Sequence, residues 1–493
     1  MAVSALLFAA GTLLWSQANP ASGSIPSMAA RLSMLRESAS KTDALPEIEE
    51  LSDRIGPRLT GSDALRKASQ YVLRRMREIG LSHVHSESWT LPRGWQRGHA
   101  EASLVEPFAL SVPVAAYGWT GLTPRRNGPS PLVLLNADEV AQDLDRLVRS
   151  QGTSWGGKIL LVSANSSTPM RAYSQLLPLV RAATAAHAVA VLRHDTRPGA
   201  GIVHSEPVSV VLPANVDSGR VPALDIPNEA EKMIERLLRS GRHVSMRLSV
   251  VNHFSSAPVD CDNIVGEIEG ISHPEQVVIV GAHLDSWDLG TGATDDGFGV
   301  AAVLGAAQAL IRSGLHPLRT IRFVLFSGEE QGLLGSTAYV HAHSAELYRT
   351  VAALALDWGA GSIVKLPVAG HSELIPLLQQ LNTLVPALGL EAPDDGWLFM
   401  TDAYAFSLAG VPGIAPLIRS AGYLEQAHSS EDTLDKVNPS DLQQAMTVLT
   451  LASFLLADSE AIPPTYFTPQ QTRSSLIQGK QQKMLEVFGI WPF

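Results

Sequence analysis

Two apolar runs, each followed by acidic or histidine side chains, are the clearest feature in the pattern of hydrophobic and polar positions. Four consecutive β-branched residues, 277–280, predict a buried strand, and the apolar run 321–326 predicts a second one. The polar side chains that follow these two strands are His283, Asp285, Asp295, Asp296, Glu329 and Glu330. Because open α/β sheets place their chemistry at the carboxyl ends of strands, we expect these side chains to converge on one site.

Alternating strand and helix patterns continue from residue 262 towards the C-terminus. The predicted strands are 264–269, 277–280, 321–326, 351–356 and 413–418, and the predicted helices are 299–313, 332–342, 372–388 and 440–456. This alternation predicts an α/β fold with a mostly parallel sheet covered by helices on both faces. Two helical segments come earlier, at 61–80 and at 33–52, and we expect the latter to break at Pro46.

Between about residues 100 and 256 the chain has short apolar runs separated by Gly and Pro. These runs predict strands at 112–117, 131–135, 158–162, 188–192, 208–212 and 244–250, with a helix at 227–240. The block is therefore interpreted as a β-rich module with one or two helices, inserted ahead of the main α/β unit. Its histidines have no ligand-type partner at metal spacing, which favours packing or surface roles for His187, His194, His204 and His243.

The amino-acid composition limits the classes of protein to which this chain can belong. The chain has 493 residues, of which 45% are hydrophobic and 17% charged, as in a globular protein of more than one domain. The net charge of −11 is not gathered into blocks, so nucleic acid is not an expected partner. The single cysteine, Cys261, cannot form an internal disulfide, and its context predicts a small residue entering a strand.

The N-terminal segment has the pattern of an export signal. An apolar run at 3–15 precedes small residues at 18–21, and its length suits a signal peptide better than a membrane span of about 20 residues. No Lys or Arg precedes the run. We predict a secreted or periplasmic protein without a membrane span after removal of the signal.

Ligand-type residues follow several of the predicted strands: they are His283, Asp295, Glu330, Asp357 and His428. Imidazole and carboxylate ligands suit zinc, and five of them with one shared carboxylate satisfy a two-metal site. Glu329 could then act as general base for a metal-bound water that attacks a peptide carbonyl. Asp285 is placed to accept the second ring N–H of His283.

Four segments contain these residues: GAHLDSWDLGTGATDDGFG, SGEEQGLLGS, LALDWG and AHSSEDT. Together they resemble the M28 family of di-zinc exopeptidases, which includes glutamate carboxypeptidases and aminopeptidases, and within it the plasma glutamate carboxypeptidase (carboxypeptidase Q) branch. The resemblance implies two zinc ions, one held by His283 and Asp357 and the other by Glu330 and His428, with Asp295 as the bridge. Glu329 would be the base and Asp285 the partner of His283.

The resemblance also implies a division of the chain. The expected parts are a signal peptide (1–23), a first part of the peptidase domain (24–105), an inserted domain (106–256), the main part of the peptidase domain (257–460) and a C-terminal extension (461–493). Within the insertion, WGGKILLVSAN and AAHAVAVLRHD resemble the protease-associated domain. A cis peptide bond between Asp295 and Asp296 is a further expectation.

Recognition of the substrate terminus stays open at this point. Many family members have an oxyanion-stabilising tyrosine near the last histidine, and Tyr423 is the nearest candidate here. A carboxypeptidase needs a cation for the substrate carboxylate, an aminopeptidase needs an acidic pocket, and a dipeptidase needs both. Arg419 is near the site in sequence but is expected on the surface.

We favour a carboxypeptidase or dipeptidase acting on short peptides, with an aminopeptidase as the alternative. A single-zinc glutaminyl cyclase and a non-catalytic binding protein are further alternatives, and the complete set of ligands with Glu329 argues against both. A peptide is the expected partner, and a homodimer stays open.

Overall fold

A computed structural model describes residues 26–125, 128–163, 166–213, 216, 220–419, 422–460, 462 and 465–493. The predicted signal peptide lies outside these residues. Within the described ranges, no helix is long and apolar enough to cross a membrane.

The helices are α1 (Met28–Ser40), α2 (Leu45–Glu49), α3 (Asp63–Ile79), α4 (Ala137–Gln151), α5 (Pro169–Ser174), α6 (Leu176–Ala185), α7 (Asn228–Arg239), α8 (Phe298–Ser313), α9 (Leu334–Ala342), α10 (Ile375–Leu384), α11 (Asp402–Leu408), α12 (Tyr423–Gln426), α13 (Pro439–Asp458), α14 (Pro469–Gln478) and α15 (Gln482–Val487). The strands are β1 (Ser82–Leu91), β2 (Trp95–Gln96), β3 (Ala100–Glu106), β4 (Leu110–Val112), β5 (Ala115–Ala116), β6 (Ser130–Leu135), β7 (Ile159–Val162), β8 (Ala190–Arg193), β9 (Ala223–Asp225), β10 (Ser245–Val250), β11 (His253–Phe254), β12 (Val259–Ile268), β13 (His273–His283), β14 (Arg319–Phe326), β15 (Thr350–Ala355), β16 (Ser362–Lys365), β17 (Gly413–Ile414) and β18 (Leu417–Arg419).

A six-stranded sheet forms the centre of the larger unit, in the order β1-β12-β14-β13-β15-β17. The strands β14, β13, β15 and β17 are parallel to one another. Towards the opposite edge, β12 runs antiparallel to both of its neighbours, β14 and β1. Alternate residues of β13 point to opposite faces: Val278 and Val280 pack with α8 and α13, and Val277 and Ile279 pack with α9 and α11. The predicted α/β fold with helices on both faces is confirmed, and the sheet is mixed because of its antiparallel edge.

A second sheet of eight strands, in the order β4-β3-β10-β6-β7-β8-β9-β5, is built by residues of the predicted inserted block. The expectation of one or two helices there is wrong, because four helices, α4 to α7, lie between its strands. The apolar residues Val140, Leu144 and Leu147 of α4 are buried at helical spacing among charged neighbours, and Asn136 caps the helix. The strands β6 to β9 are parallel; α4 connects β6 to β7, and α5 and α6 connect β7 to β8, whereas α7 follows β9 and leads to the antiparallel β10.

Two further predictions are corrected by the structure. The first N-terminal helix ends at Ser40, and Pro46 lies in the first turn of α2, where a proline costs no hydrogen bond. The apolar run 208–212 is not a strand, and of its five residues only Val208 and Leu212 are buried. Its backbone bonds to two separate loops: Val208 N donates to Gly118 O and Leu212 N donates to Gln331 O.

Candidate metal centre

The register of the central sheet brings three strand ends together. His283, the last residue of β13, pairs with Phe326 at the end of β14, and Gly281 pairs with Ala355 at the end of β15. The acids that follow those ends, Glu329, Glu330 and Asp357, therefore lie at the same edge as His283. The expected cis peptide bond between Asp295 and Asp296 is present in the loop after β13.

Asp295 lies between the two histidines. Its Oδ1 is 3.0 Å from His283 Nε2, and its Oδ2 is 3.1 Å from His428 Nε2. His283 Nε2 is also 3.9 Å from Asp357 Oδ1, and His428 Nε2 is 3.1 Å from Glu330 Oε2. The five predicted ligands thus form two adjoining groups, each with one histidine and one terminal carboxylate, and Asp295 offers one oxygen to each group.

These separations can be compared with the requirements of zinc. Ligand atoms about 2.0–2.2 Å from a tetrahedral ion lie about 3.3 Å from one another, close to the 3.0–3.9 Å found here. Two overlapping triads, each with ligand atoms within 4.8 Å of one another, are His283, Asp295 and Glu330, and His283, Glu329 and Asp357. The donor set and its spacing therefore fit zinc.

The electrostatics of the site also favour cations. Burial raises the pKa of Glu330 and of Asp357 to about 7 each, and burial with the nearby Asp357 raises the pKa of Glu329 well above its usual value. Burial disfavours a charge on His283, yet hydrogen bonds to Asp285 and Asp295 raise its pKa strongly. Buried acids in such numbers are costly without compensating positive charge, which divalent ions supply.

The surroundings of His283 differ in one detail from the sequence-based expectation. Its Nδ1 lies 3.0 Å from the backbone carbonyl of Asp285, whereas the Asp285 carboxylate is 3.7 Å away. That carboxylate accepts a hydrogen bond from Thr60 Oγ1 at 2.6 Å and a longer one from Glu329 N at 3.3 Å. Asp285 therefore also orients the loop that carries Glu329.

Arg58 joins the loops of the site and is not among the residues that the sequence analysis singled out. Its side chain is fully buried, and its guanidinium donates to the carbonyls of Leu284, Thr291 and Gly292 at 2.7–2.9 Å. These carbonyls belong to the segments that lead to His283 and to Asp295. The arginine thus fixes the relative positions of the two ligand-bearing segments.

The ring of His428 is contacted from the inserted block. Its Nδ1 lies 2.9 Å from Glu206 Oε1, and Arg197 forms an ion pair with the same glutamate. Arg197 also contacts Asp195 at 3.1 Å. Nothing in the sequence around residues 195–206 indicated the contact with His428, because it joins residues more than 200 positions apart.

Tyr423 lies beside the ligand group, as expected for an oxyanion-stabilising candidate. Its hydroxyl donates to Asp295 Oδ2 at 2.9 Å. Burial and the negative charge of Asp295 raise the pKa of Tyr423 well above its ordinary value, so the hydroxyl keeps its proton. Arg419, by contrast, is exposed.

A cavity of about 520 Å³ opens over the ligand groups. Its wall combines charged residues of the inserted block with apolar residues, including Phe488 beyond the last helix. The apolar and aromatic lining residues are Met170, Tyr173, Trp358, Phe399, Met400, Leu424 and Phe488, and the charged ones are Arg193, Asp195, Arg197, Glu206, Asp295, Glu329, Glu330 and Asp357. This size and composition suit a short peptide.

Comparison with known proteins places the chain among peptidases. The profile of peptidase family M28 matches residues 263–452. Carboxypeptidase Q from Bos taurus is 30% identical over 420 residues, which cover 84% of this chain and 85% of that protein. Aminopeptidase YwaD from Bacillus subtilis is 26% identical over 450 residues, 88% of each chain. The crystal structure of an M28 peptidase precursor from Shewanella amazonensis aligns with a TM-score of 0.76 at 27% identity, covering 90% of this chain and 99% of that one.

Proposed function

The chain belongs to peptidase family M28, and we propose that it is an exopeptidase that uses two zinc ions to hydrolyse dipeptides or short peptides. The observation that carries the proposal is the position of Asp295, which presents one oxygen to His283 and the other to His428 at the floor of a peptide-sized cavity. A carboxylate shared in this way is what a two-metal site needs.

Each ion would have its own histidine and carboxylate. His283 and Asp357 would hold one ion, Glu330 and His428 the other, and Asp295 would bridge them. When bound, the two ions would polarise the peptide carbonyl and make water a stronger acid.

Glu329 is the proposed general base. It lines the cavity, and its carboxylate lies within 4.8 Å of ligand atoms of His283 and Asp357, which supports a place beside the proposed ions. It would take the proton of the attacking water and pass it to the leaving amine. The protonated hydroxyl of Tyr423 faces the same cavity and is the proposed donor to the oxygen that becomes negative during attack.

Arg193 supports recognition of a free carboxylate. Its guanidinium lies between the rings of Tyr117 and Tyr173, 5.6 and 5.3 Å from their centres, and lines the cavity. Among the described residues, no carboxylate lies within 4 Å of it to form an ion pair. Asp195 and Asp225 act on Arg193 only at longer range, and a substrate carboxylate would form a direct ion pair with charge-assisted hydrogen bonds.

The acidic residues of the cavity wall give weaker support for recognition of a substrate amine than Arg193 gives for recognition of a carboxylate. Outside the ligand group the wall contains Asp195 and Glu206, and both contact Arg197. One guanidinium therefore serves both acids, and Arg193 acts on Asp195 as well. This arrangement favours a carboxypeptidase or dipeptidase over an aminopeptidase.

We further propose export to a secreted or periplasmic location, supported by the apolar N-terminal segment. N-terminal sequencing of protein recovered from the medium or periplasm tests this. A mature protein that still begins at Met1 would contradict it.

The function is tested with one dipeptide sequence in four forms: free, N-acetylated, C-amidated and doubly blocked, assayed together with metal analysis. We expect two zinc ions per chain, cleavage of the free dipeptide and little cleavage of the C-amide. Cleavage of the N-acetyl form identifies a carboxypeptidase, and its absence a dipeptidase. Preference for the C-amide would show an aminopeptidase instead, and one ion per chain would revive the glutaminyl cyclase alternative.

A further inference from the structure

We propose that Glu206 of the inserted block is a positioning residue for the metal centre, because it holds the ring of His428 in the orientation and tautomer that a zinc ligand needs. The inference rests on the proposed two-zinc function. It assigns the inserted block a role in metal binding, in addition to its place in the cavity wall.

The two ring nitrogens of His428 have different neighbours. Nε2 faces the ligand carboxylates, 3.1 Å from both Asp295 Oδ2 and Glu330 Oε2. Nδ1 faces Glu206 Oε1 at 2.9 Å and Arg197 Nη2 at 3.2 Å, and of these two neighbours only the carboxylate can accept a proton. An imidazole that ligates through Nε2 must carry its proton on Nδ1, and a carboxylate acceptor there fixes that tautomer and increases the basicity of the ligating nitrogen.

Glu206 is itself held in place. Arg197 forms an ion pair with its carboxylate and donates from Nη1 to the backbone carbonyl of Ala427 at 3.1 Å. The backbone makes a second connection, because Ser205 N donates to His428 O at 2.8 Å. Side-chain and main-chain contacts therefore join residues 205–206 to the loop that carries the histidine.

His283 and His428 differ in the origin of the group that faces Nδ1. The Nδ1 of His283 has the carbonyl of Asp285 as its neighbour, two residues away in the same loop. The Nδ1 of His428 has a partner from the segment between β8 and β9 of the inserted block, more than 200 residues earlier. Loss of Glu206 should therefore weaken the binding of one zinc ion and leave the affinity for the other unchanged.

The test measures zinc affinity directly on metal-free protein, by competition with a chromophoric chelator. Glu206→Ala should weaken one of the two zinc equivalents about 10- to 100-fold, the range typical for loss of such a partner. Glu206→Gln keeps an acceptor oxygen without the charge and should show a smaller loss. Glu229→Gln, which removes an exposed carboxylate of the same block, is the matched control and should bind both equivalents as the wild type does.

Thermal unfolding separates positioning from folding. The metal-free forms of both Glu206 variants should unfold within a few degrees of metal-free wild type, while the rise in unfolding temperature on adding zinc becomes smaller. Unchanged affinity for both equivalents in Glu206→Ala overturns the inference, and so does equal weakening of both with a destabilised metal-free protein. If wild-type protein binds only one zinc, the proposed function itself fails, whatever the variants do.

Discussion

Arg193→Met tests whether the cavity binds a free carboxylate. Methionine has a similar length and can still pack between Tyr117 and Tyr173, but it offers neither a charge nor a hydrogen-bond donor. The guanidinium lies between the two rings without an ion-pair partner in the described part of the chain. The substitution would therefore remove the proposed contact with the substrate without breaking a direct ion pair among the described residues.

The size of the effect follows from the environment of the arginine. A charge-assisted hydrogen bond contributes about 1.5–3 kcal/mol, and a guanidinium can donate two to one carboxylate. Allowing for partial solvation in an open cavity, we expect a loss of about 2–4 kcal/mol in transition-state stabilisation, or about 30- to 900-fold in kcat/KM. Loss of the two cation–π contacts should cost about 1–2 kcal/mol of folding stability, too little to unfold the protein.

The assay compares kcat/KM for one dipeptide and its C-amide, in wild type and in Arg193→Met. The reasoning requires a large fall for the free dipeptide and little change for the amide, because only the former has the carboxylate. Arg171→Met, on the exposed face of α5, is the control for loss of an arginine from the same block. Equal falls for both substrates, or no fall for either, would refute the assignment of Arg193.

Four other predictions concern the catalytic base, the ions, the buried arginine and a surface histidine. Glu329→Gln should lower kcat about 10²- to 10⁴-fold with both zinc ions still bound by metal analysis; near-normal turnover would exclude it as the base. Chelation should abolish activity and lower the unfolding temperature, and added zinc should restore both; chelator-resistant hydrolysis would exclude the metal mechanism. Arg58→Met should lower the free energy of unfolding by about 3–6 kcal/mol in urea titration, because three buried carbonyls lose a charged donor. The hydrogen bond to Glu87 raises the pKa of His343 above its ordinary value of 6.5. The pair therefore stabilises the fold fully below pH 6.5, and this stabilisation is lost as the pH rises through the pKa of His343 in the folded protein. His343→Gln should remove this contribution to the pH dependence of Tm.

The α/β core was predictable because local patterns there agree with the tertiary structure. The buried parallel strands are continuous apolar runs, and the long C-terminal helix begins after Asn438 with a cap and a proline. The helices and strands of the inserted block were harder to predict. In α4 the apolar positions are widely spaced among charged residues, and the apolar run 208–212 has the pattern of a strand although its backbone bonds to two separate loops.

The same contrast holds for the site. His283, Glu330 and Asp357 could be found because each follows a strand end, where the fold concentrates polar side chains. Arg193 and Glu206 could not, because their roles depend on how the second sheet packs against the first. No local spacing encodes that contact, and an arginine between two tyrosines looks the same in sequence as any surface arginine.

The net charge of the cavity lining relates the proposed metal ions to the proposed substrate. Six carboxylates and two arginines line the cavity, so two divalent ions would bring the lining to electrical neutrality. A zwitterionic dipeptide adds no net charge to such a cavity, whereas N-acetylation adds a negative charge and C-amidation a positive one. Uncompensated charge is costly where burial already shifts the pKa values of the acids. We therefore predict that free dipeptides are cleaved faster than either blocked form and that, because of Arg193, the C-amide is the poorer of the two.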